Sequence, residues 1–239
     1  YASERVQFKQ SIDQFPAIYD MLAKMKIKVT AARALLYETT RMVDLRYAYV
    51  AQDERSEKAK FYSKVAAVLT PMCKALATEI ANQVAYDSIQ IHGGTGYMHD
   101  FDVERYYRDA RITNIYEGTT QLQVVAAIGG IMQRVLDPII SEMLGMSCEG
   151  FDPALLKKVG VMFAKQKEAV QFVADKKDSA YHDLRARNLV ENETFVFVSL
   201  LMLRDAKKDA KRLPLAERYI LDAAVDVDIR LVNLHVVFF

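Results

Sequence analysis

Apolar side chains recur at the three- and four-residue spacing of an α-helix along most of this 239-residue chain. No stretch keeps the strict alternation of apolar and polar residues that a half-buried strand requires. Pro16 suits the first turn of the first segment, and Pro71 should kink the second. The pattern predicts helices near residues 15–51, 57–91, 102–112, 119–136, 153–187 and 192–211, and from Pro214 to the end.

Two breaks in this pattern are the best candidates for linkers, at Asp137-Pro138 and over residues 145–153. We therefore predict an all-α protein, with an up-and-down helical bundle over residues 1–140 and a second helical unit over residues 141–239. Residue 1 is Tyr, and residues 1–5 resemble the inside of a helix. From these features we expect a piece of a longer chain.

Composition narrows the class of protein. Apolar residues make up 51% of the chain and charged residues 26%, which is typical of a globular protein. The 32 basic and 31 acidic side chains nearly cancel, so nucleic acid is not an expected partner. Cys73 and Cys148 form neither a disulfide framework nor a CxxC motif, and we expect no metal site. The longest apolar stretch, over residues 195–203, is shorter than the ~20 residues of a spanning helix, so no transmembrane segment is expected.

The segment over residues 90–121 is the one that suggests chemistry. It holds a glycine-rich turn, Gly93-Gly94-Thr95-Gly96, between two predicted helices, and such a turn lets a ligand approach the backbone closely. It also holds a carboxylate, Glu117, followed by a glycine at the start of the next predicted helix. A carboxylate on such a loop is a candidate general base.

The spacing of this segment resembles the second signature of the acyl-CoA dehydrogenases. The matching positions are Gln90, Gly93, Gly94, Gly96, Tyr97, Asp100, Arg105 and Asp109. Residues 111–121, with Tyr116-Glu117-Gly118-Thr119, resemble the segment that follows the signature, and residues 1–8 resemble another segment of that family. The resemblance covers residues 1–136. Residues 140–239 resemble, in kind only, the helical extension of very-long-chain dehydrogenases and acyl-CoA oxidases.

The resemblance implies an FAD-dependent enzyme that oxidises acyl-CoA thioesters to trans-2-enoyl-CoA, with the helical bundle of the acyl-CoA dehydrogenase C-terminal type. Glu117 would be the catalytic base, its backbone N–H would help to hold the thioester oxygen, and Gly118 would lie against the substrate. The cofactor-binding residues implied for FAD are Arg5, Gln7, Gln90, Gly93, Gly94, Thr119 and Gln121. In the family, the first two reach the FAD of a neighbouring subunit.

The implied partners are an acyl-CoA substrate, further copies of the chain in a homodimer or homotetramer, and an electron-transfer flavoprotein as electron acceptor. The implied compartment is a bacterial cytoplasm, or the mitochondrial matrix if the source is eukaryotic. Two positions depart from the family: Lys9 stands where Gly is usual, and Pro16 stands where Gln is usual. Both bear on the FAD site near the start of the chain.

Each of these residues also has an ordinary structural interpretation. Arg5 could be a surface arginine, and the glycine turn could be a plain helix–turn–helix corner. Thr119 could be a helix cap, and Gln121 could be an exposed residue beside it. The arginines near Arg105 are expected to form salt bridges. Two other functions also stay open: an acyl-CoA oxidase that passes electrons to dioxygen, and a helical assembly module without complete chemistry.

Overall fold

The computed structural model describes residues 1–234 and is built almost entirely from helices. The helices are α1 (Pro16–Asp53), α2 (Glu57–His92), α3 (Gly94–Tyr97), α4 (Val103–Thr113), α5 (Thr120–Met132), α6 (Asp137–Leu144), α7 (Pro153–Asp175), α8 (Ser179–Lys208) and α9 (Leu213–Leu234). Short 3-10 turns over Ile12–Gln14 and Ala210–Arg212 precede α1 and α9. The predicted all-α class is confirmed.

The first long helices form a hairpin that is the frame of the molecule. Pro16 occupies the first turn of α1, and Ser56 caps α2 by accepting a hydrogen bond from the Ala59 backbone N–H. α5 packs on α2, and we call α1, α2, α4 and α5 the bundle. α2 continues as one helix across Pro71, and the kink expected at that residue stays a prediction.

The start of the chain differs from the prediction. Residues 1–5 form turns rather than a helix, and they lead into a two-residue hairpin, β1 (Val6–Gln7) and β2 (Gln10–Ser11). Phe8 and Lys9 at its tip have φ angles of 49° and 69°. This pair of left-handed residues is typical of a type I′ turn, which matches the right-handed twist of the two strands.

Two boundaries in the second half also differ from the prediction. Asp137-Pro138 begins a helix rather than a linker, because Pro is well tolerated in a first helical turn. The break between α7 and α8 lies over residues 176–178, not near residue 190. There Lys177 has a φ of 51°, and Asp178 caps α8 by accepting from the backbone N–H groups of Ala180 and Tyr181.

Helices α7, α8 and α9, which we call the extension, pack against one another and against the bundle. A single cluster of buried apolar residues runs through both parts, with α8 at its centre. One buried ion pair also joins them. Glu38 of α1 is 2% exposed and accepts from Arg204 of α8 at 2.8 Å and from Arg41 at 2.5 Å. Burial alone would raise the pKa of Glu38, but the two guanidinium groups hold it below its usual value.

The division at residue 140 stays a prediction, and residue 140 itself lies within α6. Within residues 1–234, no single helix has the length and apolar character needed to cross a membrane. Two consecutive helices, Thr120–Met132 and Asp137–Leu144, have that length and apolar character only when they are taken together, and the chain bends sharply between them.

Candidate functional site

Glu117 lies on the short loop that joins α4 to α5. Its side chain is exposed, and its backbone has a φ of 51°, which is uncommon for a residue other than glycine. The next residue, Gly118, has a φ of 94°. A Cβ on Gly118 would lie 2.8 Å from the Gln123 side-chain nitrogen, so this flexible side chain would have to shift, but the positive φ strains any other residue whatever the space. The loop thus requires glycine directly after the carboxylate.

Two side chains hold this loop by its carbonyl oxygens. The Lys74 ammonium, from α2, donates to the Tyr116 carbonyl at 2.6 Å and to the Gly118 carbonyl at 2.5 Å. Gln123 donates from its side-chain nitrogen to the Glu117 and Gly118 carbonyls, each at 3.2 Å. Every carbonyl from residue 116 to 118 is therefore fixed. Such fixation can preserve a strained backbone conformation at a functional position.

The sequence reasoning did not single out Lys74 or Gln123. A lysine on a long amphipathic helix looks like any solvated residue, because only its contact with a distant loop marks it. Glu79 is a third residue that the sequence did not mark, since it accepts from the Thr120 hydroxyl at 2.7 Å and ties the start of α5 to α2.

The same loop leaves two hydrogen-bond donors free. Within residues 1–234, neither the Glu117 nor the Gly118 backbone N–H has an acceptor. An exposed carboxylate thus lies beside donors that can bind an incoming oxygen atom. This combination is what a proton abstraction next to a carbonyl requires, because the base and the oxyanion donors must be close together.

The glycine-rich corner lies at the other end of α2. Gly93 has a φ of 64° and ends that helix, while Gly96 is buried where a Cβ would lie 2.5 Å from the His92 Cβ. Gly94 is different. It is exposed, no protein atom lies within 4 Å of its Cβ position, and its φ is not left-handed. The fold therefore requires glycine at Gly93 and Gly96, whereas Gly94 leaves open space at the surface.

The N-terminal segment packs against this corner. The Tyr1 hydroxyl donates to the His92 carbonyl at 3.2 Å, and the two rings stack with centroids 4.2 Å apart. The adjoining hairpin presents Arg5 and Gln7, which are both exposed, and Arg5 has no ion-pair partner among the described residues. Lys9 at the hairpin tip is left-handed, which is the conformation that glycine at this position would adopt without strain.

The structure therefore divides the candidate residues into two groups. Glu117, Gly118, Thr119 and Gln121 lie near Lys74, whereas Gln90, Gly93 and Gly94 lie at the C-terminal end of α2, close to the segment that carries Arg5. At a rise of 1.5 Å per residue, Lys74 and Gly93 are ~28 Å apart along that helix. A single copy of the chain does not bring the two groups together.

Other candidate side chains have ordinary partners. Thr119 caps α5 through the Leu122 backbone N–H at 3.4 Å, and Gln121 is exposed beside it. On α4, Arg105 pairs with Asp102 at 3.3 Å and Arg108 pairs with Glu104 at 3.5 Å. The predicted salt bridges are confirmed for Arg105 and Arg108, whereas Arg111 donates to the Asn114 side-chain oxygen.

Two regions of the chain match family models. Residues 1–132 match the model described as "Acyl-CoA dehydrogenase, C-terminal domain", and residues 138–229 match "Acyl-CoA dehydrogenase C terminal". The chain belongs to the acyl-CoA dehydrogenase family. The resemblance inferred from residues 90–121 is thereby confirmed.

Individual members of the acyl-CoA dehydrogenase family show how far the similarity extends. The chain is 41% identical over 136 residues to "Probable acyl-CoA dehydrogenase fadE25" of Mycobacterium leprae, covering 57% of this chain and 30% of the relative. It is 37% identical over 134 residues to "Caffeyl-CoA reductase-Etf complex subunit CarC" of Acetobacterium woodii, covering 56% of this chain and 31% of the relative.

A solved acyl-CoA dehydrogenase from Bacillus anthracis, complexed with FAD, shares the fold with a TM-score of 0.77 at 22% identity. That match covers 98% of this chain and 44% of the solved one. The chain thus spans less than half the length of each of these relatives.

Proposed function

We propose that residues 1–140 and 141–239 are the C-terminal bundle and the helical extension of an FAD-dependent acyl-CoA dehydrogenase. The enzyme would convert acyl-CoA thioesters to trans-2-enoyl-CoA, with Glu117 as its catalytic base. The supporting observation is the Glu117 loop, whose backbone carbonyls are held by Lys74 and Gln123. It carries an exposed carboxylate beside two backbone N–H groups that have no acceptor among the described residues.

In this proposal, the Glu117 carboxylate takes a proton from the carbon next to the thioester carbonyl. The negative charge that develops on the thioester oxygen would be stabilised by the Glu117 backbone N–H. Gly118 offers a surface without a side chain, so the thioester can approach the backbone. Lys74 keeps the loop in this conformation through its two carbonyl contacts.

The residues that would hold FAD fit an extended, anionic cofactor. Gly94 leaves open the space that a side chain would fill, and Arg5 has a guanidinium that can pair with a diphosphate, since it has no ion-pair partner within residues 1–234. Gln7, Gln90, Gly93, Thr119 and Gln121 would complete the contacts. Bound FAD supplies the acceptor for the hydride that leaves the neighbouring carbon.

The distance between the two residue groups supports an oligomer. Since Lys74, which contacts the Glu117 loop, and Gly93 lie ~28 Å apart along α2 in one copy, a homodimer or homotetramer can combine the base of one copy with FAD contacts of another. An electron-transfer flavoprotein is proposed as the electron acceptor, and the similarity to the Acetobacterium relative, which is named as a subunit of an Etf complex, supports it. The proposed compartment is a bacterial cytoplasm or a mitochondrial matrix.

The decisive experiment replaces Glu117 with Gln in the intact enzyme that contains this chain. We expect turnover of acyl-CoA with an artificial electron acceptor to fall at least ~100-fold, while the bound FAD content stays the same. Glu149→Gln is the matched control, because Glu149 is also exposed on a loop. Unchanged turnover in Glu117→Gln would mean that another group is the base.

Two alternatives from the sequence are tested alongside. Hydrogen peroxide formed when acyl-CoA is added to the intact enzyme would identify an oxidase. We expect the 239-residue chain by itself to be colourless and inactive; a yellow chain that bleaches with acyl-CoA would exclude the assembly-module interpretation.

A third direction is suggested by the relative named a caffeyl-CoA reductase subunit, to which this chain is 37% identical. In a reductase the reaction would run in the opposite direction, and the Glu117 carboxyl would donate a proton to the carbon next to the thioester carbonyl. An enzyme that reduces an enoyl-CoA much faster than it oxidises the saturated thioester would support this direction.

A further inference from the structure

A cavity of about 350 Å³ lies where the extension packs on the bundle. Helices α1, α2, α5, α8 and α9 all contribute to its walls, so it exists only when the two parts are docked. Its volume falls within the range of small-molecule sites. Much of the lining is apolar, including Ile27, Met72, Leu76, Val124, Val190 and Ala223. Neither Glu117 nor Gly118 lines it, so the cavity is distinct from the Glu117 loop.

One polar group in this wall is left without a partner. Tyr219 of α9 is only 8% exposed, lines the cavity, and its hydroxyl has no hydrogen-bond partner among the described residues. Burial raises the pKa of this phenol above its usual value, so the group stays neutral and can either donate or accept. Most buried polar atoms in proteins are hydrogen-bonded, and an exception calls for an explanation.

Aromatic and charged groups define the surroundings of that hydroxyl. Phe195 meets the Tyr219 ring edge-on, with centroids 6.5 Å apart, and the Arg230 guanidinium lies 4.9 Å from the Phe195 ring centre. Arg230 is held in place by Glu191 at 2.8 Å, and Glu191 also pairs with Arg187 at 2.7 Å. These three charged side chains are therefore fixed by each other.

These charges balance around the cavity. The cationic lining residues are Lys24, Lys28, Arg187 and Arg230, and the anionic ones are Glu79, Glu191, Asp222 and Asp226. A ligand that carries a net charge gains little from such a lining, whereas an uncharged ligand loses little by entering it.

We propose that this cavity is a binding site for a small, uncharged, mostly apolar molecule, oriented by one hydrogen bond to the Tyr219 hydroxyl. The apolar walls match the body of such a molecule better than isolated water, which needs two to four polar partners. The aromatic edge of Phe195 favours a flat ring beside the hydroxyl.

The test measures binding of two fluorescent probes to the 239-residue chain. 1-Naphthol has a ring system and one hydroxyl, and naphthalene has the same rings without it. We expect saturable one-to-one binding of 1-naphthol. Tyr219→Phe should weaken the binding of 1-naphthol about fivefold and leave naphthalene unchanged.

A second pair of variants locates the site. Ala223→Phe should fill the cavity and abolish binding of both probes, whereas Val225→Phe, on the exposed face of the same helix, should not alter it. Circular dichroism shows whether each variant is folded. The proposal is overturned if 1-naphthol does not bind, if Tyr219→Phe affects both probes equally, or if a folded Ala223→Phe variant binds as the wild type does.

Discussion

Replacing Lys74 with Met tests whether one side chain of α2 holds the Glu117 loop. The substitution keeps the length and the apolar stem of the side chain but removes the charge that contacts the Tyr116 and Gly118 carbonyls at 2.6 and 2.5 Å. A hydrogen bond to a charged group contributes ~1.5–3 kcal/mol. Lys74 is partly exposed and water can reach the loop. We therefore take the lower limit of this range for each of the two hydrogen bonds, and reduce their sum to allow for the water that replaces them. The expected loss is about 2 kcal/mol.

The measurement is hydrogen exchange of the two amides that close the loop. The Tyr116 N–H donates to the Ile112 carbonyl at 3.0 Å, and the Thr120 N–H donates to the Asn114 carbonyl at 3.2 Å. A local loss of about 2 kcal/mol should accelerate their exchange ~30-fold. If the same loss affects the whole chain, the melting temperature should fall by about 4–8 °C.

Lys64→Met is the matched control, because Lys64 is an exposed lysine on the same helix without a hydrogen bond or ion pair among the described residues. It should change neither measurement. Wild-type exchange rates at Tyr116 and Thr120 in the Lys74→Met variant would refute the argument that Lys74 holds the loop. An equal acceleration in α7 would show general destabilisation rather than release of this loop.

Three further predictions concern stability. Lys9→Gly should raise the free energy of unfolding by ~1 kcal/mol, because glycine adopts the φ of 69° without strain; a destabilised variant in urea titration would contradict this. Arg204→Met should lower the free energy of unfolding by about 3 kcal/mol in the same assay, because it leaves Glu38 buried with one partner fewer. Arg204→Lys should restore part of the lost stability. Burial, with a smaller contribution from Asp137, raises the pKa of Glu193 from 4.5 to about 8. The folded chain then keeps a proton that the unfolded chain releases near pH 4.5, so its stability is complete below that pH and falls by up to about 1 kcal/mol per unit as the pH rises toward 8. Glu193→Gln should flatten this dependence of the melting temperature on pH, and equal slopes for both proteins would contradict the assignment.

Local patterns in the sequence were sufficient for most of the helices. The predicted segments 15–51 and 57–91 correspond to Pro16–Asp53 and Glu57–His92, because long amphipathic periodicity and caps such as Ser56 depend on neighbouring residues alone. The break over residues 176–178 was missed, since the left-handed Lys177 carries no glycine or proline signal. The hairpin was missed for the same reason, as Phe8-Lys9 is an unusual pair for a type I′ turn.

The family and its candidate base were also evident from the sequence, because the spacing around Glu117 is a local motif. The side chains that hold the Glu117 loop were not evident from the sequence. Lys74 contacts a loop more than forty residues further along the chain. Arg204 reaches Glu38 across 166 residues, and Tyr219 meets a cavity wall made by α1, α2 and α5.

The sequence by itself thus determined most of the helices, the family motif and a candidate carboxylate, all of which depend on residues close together in the chain. Only the tertiary structure decided which side chains fix the Glu117 loop, which charges join the extension to the bundle, and where a cavity remains between them. The physical reason is that hydrogen bonds, ion pairs and packing act through space, and periodicity along a chain carries no information about the partner on another helix.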